Sequence, residues 1–477
     1  MIGKAHLWCA LLALLALPTF VAPLAFPRRA MPSPASPATA VPGLTPDKDS
    51  FYKPPSGWQH KKPGDILAWR EITPKFLFTD FKVEKAYQVM YRTSQNTPDE
   101  PQYTVTTILV PFNAKKDKLM VGSEAVDACG VQCAPSYGYL GGAITQDSGG
   151  FQLDEAEFLP FLSKGYIMTV PDKEGPLLAF AAGRMEGYMT LDSARATINF
   201  EPLGLSKDTK IGMYGYSGGA LTLGWAAGLH PVYAPELNIV GMTFGGTPAN
   251  LSGTIEYASG TTFAGFIVAG ITGIINAYPK AKKYVDSVLL PKGREAIEYA
   301  QNNCWVQVVL KYMNADIKDE GWTTKGAAVF RDPVVQEIFD ESIMGAKKEE
   351  TPTAPLFIYH AEHDEIIPVR DIEKTVDVWC ANGANIKYTN YNNGILDHET
   401  LEVLGIGKAV QFIDAQMDSN SLAPGCQKTT SNSVAFEPGV LGSDLEDLMN
   451  LIWTVFGQMV GPKGRVLKQK AAAGHDS

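Results

Sequence analysis

Residues Gly215-Tyr216-Ser217-Gly218-Gly219 constrain this chain more than any other segment, because of what flanks them. Ile211-Gly212-Met213-Tyr214 reads as a short buried strand, and residues 220–229, rich in alanine, leucine and glycine, read as a helix. A G-x-S-x-G stretch alone is a weak signal. Between a strand and a helix it predicts a sharp turn that lifts the Ser217 hydroxyl clear of a sheet. Glycine on both sides permits a strained backbone and close approach of the following helix. The start of that helix offers backbone N–H groups and a positive dipole end to a developing anion. The competing account is a glycine-rich turn whose serine has no chemical part.

A nucleophilic serine needs a base and an acid to orient it, and turns of this kind are followed by Asp/Glu and then His. The chain has seven histidines, which makes the search short. His6 lies in a leader segment, His60 ahead of the core and His475 in a polar tail. His230, beside Pro231 at the end of the expected helix, reads as structural. His360, His363 and His398 remain. His398 sits in the loop Asn392-Asn393-Gly394-Ile395-Leu396-Asp397-His398-Glu399, ahead of an apolar helix signal, so as a late loop histidine it is the expected base. The acid is sought where the apolar strand Leu356-Phe357-Ile358-Tyr359 runs into a charged turn. Glu362, Asp364 and Glu365 are all chemically able. Asp364 is favoured because the short turn before Ile366 and Pro368 can aim one carboxylate across the sheet edge, but spacing alone does not settle the choice.

Strand signals at 86–93 and 103–110 flank a turn at 96–99, and further strands are expected at 167–172 and 239–244. A helix is expected at 191–200. Strands alternating with helices around Ser217 point to an α/β-hydrolase fold, a mainly parallel sheet with helices on both faces. Residues 249 to about 350 break that rhythm. They hold a glycine-rich apolar stretch at 263–275 and charged helix signals at 280–289 and 294–299. This is read as a large, mostly helical cap insertion whose apolar wall suits an acyl chain; the competing reading is a fixed helical layer.

The 477 residues are 45% hydrophobic and 19% charged, the balance of a globular protein with a large core. A net charge of −10 with no basic domain argues against nucleic-acid binding. The apolar run at 7–17 is too short to span a bilayer and reads as part of a secretory signal peptide over 1–25. A signal anchor competes, but Pro18, Pro23 and Pro27 interrupt the helix it would need. Residues 26–50, rich in Pro, Ala and Ser and carrying the dibasic Arg28-Arg29, read as a linker or propeptide. The hydrolase domain is expected over 51–460, with an amphipathic helix at 439–457 and a disordered tail at 461–477. Asn250-Leu251-Ser252 is the one N-glycosylation acceptor, in keeping with an extracellular, secreted product. Five cysteines remain once Cys9 leaves with the leader, and none forms a zinc-type pair of half-sites.

Blocks beyond the elbow resemble the fungal secretory lipases. They include Cys133-Ala134-Pro135-Ser136-Tyr137, Gly245-Gly246-Thr247-Pro248, Asp364-Glu365-Ile366, Ala381-Asn382-Gly383-Ala384-Asn385 and Val440-Leu441-Gly442-Ser443. The resemblance spans roughly residues 50 to 460. It implies Ser217 as nucleophile, Asp364 as acid and His398 as base, with the backbone N–H groups of Asp127 and Gly218 forming an oxyanion hole. It also implies Cys133–Cys304 and Cys380–Cys426 disulfides, leaving Cys129 over. No metal or organic cofactor is implied. The expected activity is triacylglycerol-lipase-type ester hydrolysis on lipid or ester substrates, with transient contact at a lipid interface. A monomer is the default. Cys129, within 128–132, and the pair Leu396-Asp397 depart from the family pattern. A small-ester esterase, an acyltransferase or a peptidase could use the same triad, and a non-catalytic binding protein could use the same fold. An ionised Asp127 carboxylate aimed inward would oppose a developing oxyanion, so its side chain is expected to point away or be protonated.

Overall fold

The strand that leads to Ser217 lies deep inside a ten-stranded sheet of order β1-β4-β5-β7-β6-β8-β9-β10-β11-β12. The computed structural model describes residues 44–76, 79–141, 154–394, 396–419 and 422–432. The expected signal peptide, most of the 26–50 linker, the 439–457 helix and the 461–477 tail lie outside these residues. The strands are β1 (Ile66–Glu71), β2 (Lys75–Phe76), β3 (Thr79–Asp80), β4 (Lys85–Ser94), β5 (Pro101–Val110) and β6 (Lys115–Ser123). They continue as β7 (Tyr166–Pro171), β8 (Lys210–Tyr216), β9 (Ile239–Gly245), β10 (Leu356–Ala361), β11 (Ile386–Tyr391) and β12 (Cys426–Ser431). β2 and β3 form a separate small hairpin. β1, β4, β5 and β7 pair antiparallel, and every pairing from β7 through β12 is parallel.

The helices are α1 (Pro135–Gly138), α2 (Asp154–Ser163), α3 (Gly183–Asn199), α4 (Gly218–Tyr233), α5 (Leu251–Ala258) and α6 (Ala264–Ala277). α7 (Pro279–Val288), α8 (Pro291–Asn302), α9 (Trp305–Tyr312), α10 (Pro333–Glu341), α11 (Val369–Ala381) and α12 (His398–Ser419) follow. Alternation along β8 explains the layering. Ile211 and Met213 enter one core with α3, α4 and α11, whereas Tyr214 and Tyr216 enter a second core with α2 and α12. Burial on both faces is why β8 reads as a nearly continuous apolar run.

Between β6 and β8 the chain goes outward to β7 and then returns to the other side of β6. Such a reversal opens a crevice beyond the carboxyl ends of the strands, where α/β sheets hold ligands. Asp127 follows β6 and Ser217 follows β8, so the topology brings both to that crevice. Helices α5 to α10 are inserted between β9 and β10, where the cap is expected. Asp49 is packed against β1: its Oδ1 accepts from Phe51 N–H, and its Oδ2 accepts from buried Arg70 at 2.7 Å.

Candidate active site

Ser217 is the N-cap of α4 and holds φ 51° and ψ −118°, a conformation that a non-glycine residue rarely adopts. Its N–H donates to Gly245 O at 3.0 Å, which pins the turn to the end of β9. Packing accounts for the glycine after next. A β-carbon on Gly219 would stand 2.1 Å from the Ser123 carbonyl oxygen. Gly218 is the first residue of α4, so its N–H has no acceptor within the helix.

The loop after β6 faces this helix start. Val126 and Asp127 take positive φ in succession, 60° and 50°, with no glycine to ease the strain. Asp127 is buried, and its Oδ1 lies close over Gly218. Its N–H, expected to be an oxyanion donor, donates to Ala125 O at 2.7 Å. That tight turn has to loosen before the N–H can serve a substrate oxygen. Behind the loop, buried Lys173 lies 3.0 Å from Glu186 Oε2, which also accepts from Thr222 on α4. This network joins α3, α4 and the 172–174 turn, and no sequence pattern announced it.

Of the three carboxylates considered, Asp364 is the one whose side chain lies against the His398 ring. It is buried after β10, with Oδ1 accepting from the N–H groups of Ile366 at 2.9 Å and Ile367 at 2.6 Å. Its Oδ2 lies 2.7 Å from His398 Nδ1. Glu362 instead accepts from Asn390, and Glu365 Oε2 accepts from the His398 backbone N–H at 2.7 Å. Burial alone would raise the Asp364 carboxyl; the facing His398 and His360 rings, through charge and hydrogen bonding, outweigh it and hold the group well below the usual carboxylate range. For His398, burial lowers the ring's proton affinity, but the Asp364 charge and hydrogen bond prevail and push it up to about 9.

His398 is the first residue of α12 rather than a loop residue. Its carbonyl accepts from Tyr216 Oη at 2.8 Å, and a β-carbon on Gly246 would stand 2.7 Å from its Cε1. Ser217 and His398 therefore flank the same Gly245-Gly246 turn. His398 Nε2 is buried without a partner, and no hydrogen bond from Ser217 is drawn to it. Hydrogen bonds of this kind often tighten only once substrate binds. His363 is exposed and His230 is buried against Leu237 O.

A cavity of about 1410 Å³, counting its open mouth, runs from Ser217, Gly218 and Asp127 into the cap. Ile267, Ile271 and Ile274 of α6, Val285 of α7 and Phe339 of α10 contribute walls, and among the described residues Asp127 is its only charged lining residue. Disulfides join Cys133 to Cys304 and Cys380 to Cys426; Cys129 is free and buried. The first ties the segment after the Val126-Asp127 loop to the start of α9. Asn250, the glycosylation candidate, is partly buried as the N-cap of α5, its Oδ1 accepting from Gly253 N–H and Ser252 Oγ. Among the described residues no cluster of His, Cys, Asp or Glu could hold a metal ion, and no helix is long and apolar enough to cross a membrane.

A central, mostly parallel sheet, a strained serine at a strand-to-helix turn and an Asp–His pair beside it define the α/β-hydrolase class. The family model for secretory lipases matches residues 146–425. A Malassezia furfur protein named secreted triacylglycerol lipase is 51% identical over 89% of this chain and 86% of its own length. A Malassezia restricta protein of the same description is 39% identical over 89% and 91%. The closed-state structure of Candida antarctica lipase A superposes with a TM-score of 0.75 at 29% identity, covering 88% of this chain and 99% of its own. The chain belongs to the secretory lipase family.

Proposed function

We propose that this protein is a secreted triacylglycerol lipase that hydrolyses long-chain esters through Ser217, His398 and Asp364. The observation that carries the reading is the strained Ser217 turn at the mouth of an apolar cavity, beside a buried His398–Asp364 pair. The naming of relatives as secreted triacylglycerol lipases supports both the substrate and the export.

In this mechanism His398 Nε2 takes the Ser217 proton as Oγ attacks the ester carbonyl carbon. The carbonyl π electrons move onto oxygen, and the N–H groups of Gly218 and Asp127 stabilise that oxyanion. Asp364 holds the ring by Nδ1 and stabilises the imidazolium. Collapse of the intermediate expels the alcohol oxygen, which takes the proton from His398 and leaves an acyl group on Ser217. Water then attacks the acyl carbon, giving its proton to His398. The carboxylic acid departs as the proton returns to Ser217. The apolar cavity favours the acyl chain by removing it from water, at roughly 0.8 kcal/mol per buried CH₂.

Exposed apolar residues on α9 and beyond it, Leu310 at 63% and Met313 at 42% exposure, support transient contact with a lipid surface. The test is hydrolysis of p-nitrophenyl esters of graded chain length by wild type and Ser217→Ala. Serine-dependent turnover that favours long chains is expected. Short-chain turnover alone would reduce the protein to a small-ester esterase, and no turnover would leave a binding protein.

A further inference from the structure

His360 is fully buried near the end of β10, and the triad reading gives it no task. Its Nε2 lies 3.1 Å from Asp364 Oδ2 and 3.2 Å from the Ile367 carbonyl oxygen. Both are acceptors, so Nε2 carries the proton; its hydrogen bond runs to the Ile367 carbonyl, and Asp364 Oδ2 lies beside it as a second, charged acceptor. Nδ1 is buried without a hydrogen-bond partner. A second proton there would place a charged ring with an unpaired N–H inside the protein. The geometry therefore places the His360 ring proton on Nε2 rather than Nδ1.

Its partner is a filled carboxylate. Asp364 Oδ1 is occupied by the N–H groups of Ile366 and Ile367, which fix the plane of the group. Oδ2 faces His398 and His360 together.

We propose that His360 is a positioning residue that tempers the basicity of His398 by setting its Nε2–H against the Asp364 oxygen that holds it. This rests on reading Ser217, His398 and Asp364 as the triad. A hydrogen bond to Oδ2 draws negative charge from that oxygen, so it grips an imidazolium less strongly. Without it, His398 stays protonated to higher pH and is a poorer acceptor of the Ser217 proton at neutrality.

Other groups face the pair from every side. Glu402 on α12 and Glu365 in the acid turn both favour the imidazolium. Tyr216 on β8 donates to His398 O and sets its ring 5.1 Å from the imidazole. Tyr257 on α5 of the cap donates to Asp364 O at 2.8 Å, with Arg370 at the start of α11 near its hydroxyl. Tyr359 on β10 packs against Tyr216. Of the side chains named, His398 at 2.7 Å and His360 at 3.1 Å alone bring a ring nitrogen against Oδ2.

The experiment is the pH profile of kcat/KM for wild type, His360→Leu and His360→Gln. Glutamine keeps an N–H donor near the position of Nε2 and cannot become a cation; leucine has no donor. In His360→Leu the acid limb is expected to move up by about half to one pH unit. Activity then falls about threefold to tenfold at neutral pH and approaches wild type on the alkaline plateau. His360→Gln returns the limb. A uniform loss at all pH values with an unmoved limb, or a limb moved down, overturns the proposal. A second readout needs no variant: ring ¹⁵N shifts of histidine-labelled wild type should show the His360 tautomer with its proton on Nε2. A tautomer with the proton on Nδ1 overturns it too. Undiminished hydrolysis by Ser217→Ala would instead overturn the triad reading, and the ring tautomer is read without turnover.

Discussion

Asp127 Oδ1 lies so close over Gly218 that a β-carbon added to that glycine would stand 2.1 Å from it. The Ala125 carbonyl would be 2.6 Å away. The oxyanion loop and the helix start therefore fit only because residue 218 lacks a side chain. Gly218→Ala should push the loop away from the helix and lower kcat by about 100-fold or more. Circular dichroism should stay that of the wild type, since the clash is local. Steady-state kinetics beside the spectrum check this.

The pH dependence follows from the Asp364–His398 pair. His398 must be neutral to accept a proton, and its proton affinity is raised from the ordinary 6.5 to about 9. kcat/KM should therefore climb through the neutral to alkaline range. Stability should run the other way. A group raised on folding contributes stability that is fully present below pH 6.5 and lost as pH rises through about 9. Asp364 is lowered, so its contribution is present above 3.8 and lost as pH falls below it. Thermal midpoints of wild type and His398→Asn, measured beside the rates, should show an alkaline decline only in the wild type.

The Cys133–Cys304 bridge closes a loop of sequence separation 171 and anchors the cap beside the oxyanion loop. Replacing both cysteines by serine should cost about 2–5 kcal/mol in denaturant unfolding. It should also raise KM for long-chain esters more than for short ones, because the cap walls the cavity.

Chain-length preference should respond to the cavity wall. Ile274 on α6 lines it, and Ile274→Trp would fill part of the space that an acyl chain needs. The ratio of long-chain to short-chain kcat/KM should fall by about tenfold or more, roughly the loss of two buried methylenes. An unchanged ratio would place the acyl chain elsewhere.

The elbow was legible because its geometry needs glycine at crowded positions and a strand and helix around it, all of which leave marks in sequence. The two hairpin strands β4 and β5 and the helical cap left equally plain periodicity. The acid was only half legible. Glu362, Asp364 and Glu365 share one turn, and what separates them is burial and hydrogen bonding, which depend on strands distant in sequence. β6 was hidden because it opens on Lys115-Lys116-Asp117-Lys118 before its apolar half, and exposed, polar β12 looks like a loop. The loop after β6 was the least legible. Two successive left-handed residues, Val126 and Asp127, occur there, and β-branched Val126 carries no preference for that backbone that sequence could show. Lys173 and Glu186 likewise meet only once α3 is laid beside the 172–174 turn.

The most direct test of the account is to trap the serine. The protein is treated with an alkyl fluorophosphonate bearing a long chain, digested and mapped by peptide mass spectrometry, with Ser217→Ala alongside. The account predicts one adduct, on the peptide carrying Ser217, formed in step with loss of ester hydrolysis and absent from the variant. Loss of hydrolysis with Ser217 unmodified, or equal labelling of Ser217→Ala, would contradict it.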